Sequence, residues 1–218
     1  MTSGTPNSIG VATEAPTAEL TDLADAVRSL IDATVRTEMG PEALRLATTF
    51  VEQATAELEP ELRDEHYGLT ARREGSQRLP FGFNPVLGRA NPLAPPVELE
   101  DAQGLVVGHA TMGRAYEGPP NHVHGGVISL VLDQTLGLAN LLAGHSGMTV
   151  DLHLRYLRPT PLFVPVRFES WWERTEGRKI HSRGRVLVED EVTVEAEGLF
   201  LSIQREQSER LYTGTSPT

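Results

Sequence analysis

His124-Gly125-Gly126-Val127-Ile128-Ser129-Leu130-Val131-Leu132-Asp133-Gln134-Thr135-Leu136-Gly137-Leu138-Ala139-Asn140-Leu141-Leu142-Ala143 decides the fold. Apolar residues fall on almost every azimuth of a helix over this stretch, and a helix of that kind is buried on most sides. It lies in a run of strand patterns. Val97–Glu100 and Leu105–Met112 precede it, separated by the turn sequence Asp101-Ala102-Gln103-Gly104. Met148–Leu157 follows with strict alternation, Val150, Leu152, Leu154 and Tyr156 on one face and Thr149, Asp151, His153 and Arg155 on the other. Val164–Arg174, Lys179–Val188 and Val192–Ile203 complete the set, with Glu176-Gly177 and Glu189-Asp190 as turns. One apolar helix wrapped by a single antiparallel sheet of about six strands satisfies the pattern, which is the α+β architecture called a hotdog.

Upstream, Leu20, Leu23, Ala24, Val27, Leu30, Ile31 and Val35 recur at helical steps, with Thr21 as a candidate cap. Gly40-Pro41 breaks that helix and starts another, carrying Leu44, Leu46, Ala47, Phe50, Val51 and Leu58. The expected organisation is a disordered lead-in over 1–18, a helical hairpin over 19–59, a Pro-rich connector over 60–96, the hotdog domain over 97–207 and a flexible tail over 208–218. The connector offers Leu79, Phe81, Phe83 and Val86 as anchors, since prolines at that density suit neither helix nor central strand.

Composition narrows the function. The chain has 218 residues, 39% hydrophobic and 22% charged, with a formal net charge of −11. That acidity disfavours nucleic acid and anionic membrane surfaces as partners. The absence of cysteine removes disulfides, thiolate metal sites and Cys nucleophiles. The first eighteen residues lack the basic and apolar regions of a secretory signal, no apolar run reaches the length of a membrane span, and the expected location is the cytoplasm. His122, His124, His145 and His153 form no spacing that matches a metal motif, so no metal is expected.

The chemistry concentrates on the long helix. His124-Gly125-Gly126 at its start offers unpaired N–H groups, the positive end of the helix dipole and close backbone approach, the makings of an oxyanion site. Asp133 stands among apolar neighbours, and no Lys or Arg occurs between Ala115 and Leu154 to neutralise it. A carboxylate desolvated without a cation is a strong base; satisfaction by Thr, Gln or backbone donors is the purely structural alternative. Asp133 lies nine positions after His124, roughly 13 Å along the axis. One helix therefore cannot bring both groups to one carbonyl. Gly126, Ser129, Asp133, Gly137 and Asn140 form a small and polar stripe suited to facing a twin, so each site should combine Gly125 of one subunit with Asp133 of another. Ser129, inside a helix and outside any Gly-x-Ser-x-Gly elbow, reads as a hydrogen-bonding residue rather than a nucleophile.

Residues 118–162 resemble the PaaI-like hotdog thioesterases of the thioesterase superfamily. The family's His-Gly-Gly, six residues, then Asp is matched by His124-Gly125-Gly126 and Asp133. Its later Thr/Ser-x-x-Leu-x-x-x-Tyr-x-x-Pro segment is matched by Thr149, Leu152, Tyr156 and Pro159. The resemblance covers roughly 96–204 and leaves 1–95 unmatched. It implies acyl-CoA thioester hydrolysis with Asp133 as base or nucleophile, Gly125 N–H as oxyanion donor, and His124 and Thr149 assisting. No cofactor is required beyond the coenzyme A of the substrate. Gly126, Asn121 and Ser129 join the substrate-binding set, although Asn121 stands only three residues before His124, closer than the equivalent Asn of many relatives. By alternation Thr149 belongs to the face away from the helix, so a bulge or a site at the subunit seam is needed to use it. Arg155, Arg158 and Lys179, with Arg178, Arg183 and Arg185, are the cations available to the phosphates of coenzyme A. A homodimer pairing through Met148–Leu157 is expected, and a homotetramer is also compatible. Two other readings remain open: a noncatalytic acyl-CoA-binding scaffold, and a hotdog hydratase or dehydratase, which would pair its Asp with a His a few residues later where this chain has none before His145.

Overall fold

The computed structural model describes residues 16–62 and 82–202. Leu79 and Phe81, the expected lead-in up to residue 15 and the tail fall outside the described residues. Helices α1 (Ala18–Arg36) and α2 (Pro41–Leu58) open the chain, followed by strands β1 (Glu98–Ala102) and β2 (Leu105–Thr111). The long helix α3 (Gly125–Leu142) comes next, then β3 (Gly147–Tyr156), β4 (Pro165–Glu176), β5 (Lys179–Val188) and β6 (Glu191–Ser202). All six strands pair antiparallel in one sheet of order β1-β2-β4-β5-β6-β3. The expected turns hold the connections: Gln103 and Gly104 both take positive φ between β1 and β2, as do Glu189 and Asp190 between β5 and β6.

Helix α3 is the axle of this sheet. By length and composition alone it could cross a membrane; here Ile128, Val131, Leu132, Leu136 and Ala139 are buried against Val106, Val166, Phe168, Ile180, Val186, Val194, Ala196 and Phe200. Burial of each large side chain contributes about 1.5–3 kcal/mol. Two glycines let the helix sit close. A Cβ on Gly184 would lie 3.3 Å from the Leu132 side chain, and one on Gly198 would lie 3.2 Å from that of Leu136. Beneath the helix, Thr135 and Ser170 satisfy each other's hydroxyls at 2.8 Å.

Helix α1 is capped by Thr17, whose side chain accepts from the Leu20 N–H, and not by Thr21. Thr21 is already one turn inside and turns its hydroxyl to the Ala18 carbonyl at 2.8 Å. Ala24 is buried against the body. The Arg28 guanidinium donates to the carbonyls of Gly88, Arg89, Asn91 and Ala94, tying the connector to the helix. Asn84 caps the turn at Val86 and Leu87 and donates to Gln134 of α3. Helix α2 starts at Gly40-Pro41 as its sequence directs, yet buries none of its residues against the described body; Leu44, Leu46, Phe50, Val51 and Leu58 are exposed.

Candidate active site

The loop entering α3 is built to present its first turn. Gly118 lies so close to His124 that a Cβ would stand 2.7 Å from the His124 Cα. The His124 N–H donates to the Tyr116 carbonyl at 2.8 Å, and the Val123 N–H to that of Thr160. Asn121 takes the left-handed conformation, φ 63. Its backbone N–H donates to Glu117, its side-chain oxygen accepts from Arg114 at 2.9 Å, and Arg114 also pairs with Glu117. Asn121 thus shapes the loop, with its amide oxygen already committed.

His124 is the N-cap of α3. Its Nδ1 accepts from the Gly126 N–H at 2.9 Å, and its carbonyl accepts from Val127 and Ile128. Among the described residues this leaves the Gly125 N–H without a partner at the positive end of the helix. It is the N–H expected to polarise a carbonyl.

Asp133 is half-buried, not enclosed, because it stands on the open side of α3. That side runs through Gly126, Leu130, Asp133, Gly137 and Leu141, of which Leu130 and Leu141 are exposed apolar residues. Asn140 does not belong to it. Its azimuth matches that of Asp133, but the chain reverses at Gly144, the His145 N–H returns to the Asn140 carbonyl, and Asn140 ends 1% exposed.

The Thr149 hydroxyl donates to Asp133 Oδ1 at 2.8 Å. The parity problem is solved by a β-bulge: Thr149 faces Phe200 and Asp151 faces Leu199, so Val150 is the additional residue that turns Thr149 to the helix. Ser129 turns its hydroxyl toward the helix start. Its hydroxyl donates to the Gly125 carbonyl and lies 2.9 Å from the Tyr156 hydroxyl. Sequence reasoning put Tyr156 on the inner face of β3 and assigned it no task.

The basic candidates lie elsewhere. Arg155 is on the face of β3 opposite Tyr156 and pairs with Glu195; Arg158 pairs with Glu191. Arg183 joins Glu173 and Glu197, and Arg185 joins Glu169, while Lys179 is exposed at the start of β5. His122 contacts the Pro120 carbonyl and His145 stacks on Trp172. Among the described residues no cluster of three metal-ligating side chains occurs. A cleft of about 290 Å³ between α1, the connector and β2 contains none of the candidate site residues.

A helix sheathed by one antiparallel sheet, with a glycine turn at its head and a carboxylate about two turns along its open side, defines the hotdog class. A family model described as thioesterase superfamily matches residues 120–195. A crystal structure of a thioesterase superfamily protein is 38% identical, with a TM-score of 0.77 over 86% of this chain and 97% of its own. The chain belongs to the thioesterase superfamily. It is also similar to the acyl-coenzyme A thioesterase THEM4 of Xenopus laevis, 33% identical over 42% of this chain and 42% of the relative. THEM4 of Bos taurus is 35% identical over 44% and 40%, and THEM5 of Homo sapiens 30% identical over 44% and 39%. The chain thus spans about two fifths of the length of these curated relatives.

Proposed function

We propose that this protein hydrolyses acyl-CoA thioesters at sites shared between two subunits. The observation that carries the reading is the pairing of an unpartnered Gly125 N–H with an Asp133 carboxylate held by Thr149, on one open helix face, too far apart to serve a common carbonyl within one chain. The adjoining strand β3 is a sheet edge, and Met148, Val150, Tyr156 and Leu157 are exposed on or beside it. Antiparallel pairing of two such edges would cover them and set one subunit's glycine turn against the other's carboxylate. The relatives' names supply the thioester class.

In the reaction, the Gly125 N–H stabilises the oxyanion while Asp133 takes a proton from water as its oxygen bonds to the carbonyl carbon. Collapse of the tetrahedral intermediate breaks the C–S bond, and the proton on Asp133 returns to the departing thiolate. If the carboxylate attacks directly, the thiolate leaves and a mixed anhydride forms instead; water that hydrolyses it at the Asp133 carboxyl carbon leaves ¹⁸O on Asp133 after a single turnover in ¹⁸O-water, whereas attack at the acyl carbon labels the product acid. The decisive experiment measures thiol release from a panel of acyl-CoA esters. Asp133→Asn should lower kcat by roughly a hundredfold or more while the fold persists. Mixing Asp133→Asn with Gly125→Ala subunits should restore about a quarter of wild-type activity through heterodimers with one intact site; no recovery in proven heterodimers would refute the shared site. Tight acyl-CoA binding without turnover would favour the scaffold reading.

A further inference from the structure

The carbonyl of Gly125 sits at the apex of a triangle of oxygens. The Tyr156 hydroxyl donates to it at 2.8 Å, the Ser129 hydroxyl donates to it at 2.9 Å, and the two hydroxyls are 2.9 Å apart. Each hydroxyl has a single proton, so the Gly125 carbonyl accepts at least one of them, directly or with the other hydroxyl as relay. That carbonyl lies in the peptide following Gly125, one Cα away from the plane that carries the free N–H.

We propose that Tyr156 is a positioning residue for the oxyanion donor: its hydroxyl, with that of Ser129, sets the direction of the Gly125 N–H. This rests on the hydrolytic reading of the site. The first turn of a helix has N–H groups with no internal partners, and two successive glycines there have the widest conformational freedom of any pair. Free, such a turn frays. Here the peptide before Gly125 is held through the His124 carbonyl, which accepts from Val127 and Ile128. The peptide after it is held through the Gly125 carbonyl by Tyr156 and Ser129. With both neighbouring planes fixed, the donor's direction is fixed.

The geometry also accounts for the glycine. A Cβ at residue 125 would stand 3.2 Å from the Tyr156 hydroxyl and 3.3 Å from its ring. The tyrosine approaches the backbone as closely as only glycine comfortably permits. Tyr156 is nevertheless 52% exposed, its outer side open at the sheet edge. Its hydroxyl is thus spent inward, on the turn, while its ring remains available to whatever covers β3. The same strand holds Asp133 through Thr149, so β3 braces both ends of the open face of α3.

The test is Tyr156→Phe, which keeps the ring and removes the hydroxyl, measured in the full-length protein. A fall in kcat of roughly tenfold with KM within about twofold is expected, since misdirecting a donor weakens transition-state binding more than ground-state binding. With glycine-selective ¹⁵N labelling, the Gly125 amide resonance should move while the unfolding midpoint stays close to wild type. Ser129→Ala should move the same resonance, and Ser129→Thr, which retains a hydroxyl, should return it toward wild type. An unchanged Gly125 resonance in Tyr156→Phe overturns the proposal, as does wild-type kcat in an active enzyme. If the wild type releases no thiol at all, the hydrolytic reading fails by itself, and the amide resonance alone then decides whether Tyr156 directs the donor.

Discussion

Replacing Thr149 by Val isolates the bond on which the carboxylate depends. Valine keeps the volume and the β-branched shape that suits a strand, and it removes only the hydroxyl that donates to Asp133 Oδ1 at 2.8 Å. Hydrogen bonds to charged groups contribute about 1.5–3 kcal/mol. Thr149 is exposed in the single chain, so water competes for the carboxylate and the lower end applies. A loss of about 1.5 kcal/mol of transition-state stabilisation corresponds to roughly a tenfold fall in kcat/KM. Global stability should fall by no more than about 1.5 kcal/mol, since the same bond is lost from the folded state. Steady-state thiol release gives the first number and urea unfolding the second. A folded Thr149→Val enzyme with kcat/KM within twofold of wild type would refute the reasoning, because the bulge at Val150 would then orient a side chain the chemistry does not use.

Other consequences are equally direct. Phe168→Ala empties a position 1% exposed beneath α3 and should destabilise the protein by about 3–5 kcal/mol in urea titrations. Arg28→Lys replaces a planar fork serving four carbonyls with a single ammonium; a loss of about 2 kcal/mol is expected, with faster proteolysis of the connector over 82–96. Burial pushes the Tyr116 phenol above its ordinary range, with Arg28 opposing more weakly. The folded state therefore holds that proton more tightly than the unfolded chain. The resulting stabilisation is complete below about pH 10 and is lost as pH rises further. Comparing the alkaline unfolding limb with that of Tyr116→Phe measures it.

Much of this was legible because the periodicity changes from two to nearly four and back again. The apolar stretch from Val127 to Leu142 could be a helix of any buried kind, but flanked by alternating segments and tight turns it had one economical placement. Parity left two ways to bring Thr149 into the site, a bulge or the subunit seam, and the structure has the bulge. Other features depended on distances along the chain that no local pattern encodes. Asn140 shares the azimuth of Asp133, yet it is buried where Asp133 is half-buried. Arg155 and Arg158 meet Glu195 and Glu191 only through the register of β3 on β6, which their own sequence does not specify. Thr21 has the right residue type for a cap, but the helix starts at Ala18 and leaves that position to Thr17. The bond from Tyr156 to Gly125 joins residues 31 apart and needed the sheet to be closed around the helix before it could be seen.

The two glycines at the head of α3 are constrained by different neighbours, and this governs how the sequence can drift. A methyl group at position 126 would press on the imidazole of His124, the residue two places before it, at 3.0 Å. A single nearby change, a smaller cap, could make room. A methyl group at position 125 would press on a ring from another strand. Variation there is coupled to position 156, so in an alignment of descendants a larger residue at 125 should appear only where the tyrosine has already been traded for something smaller.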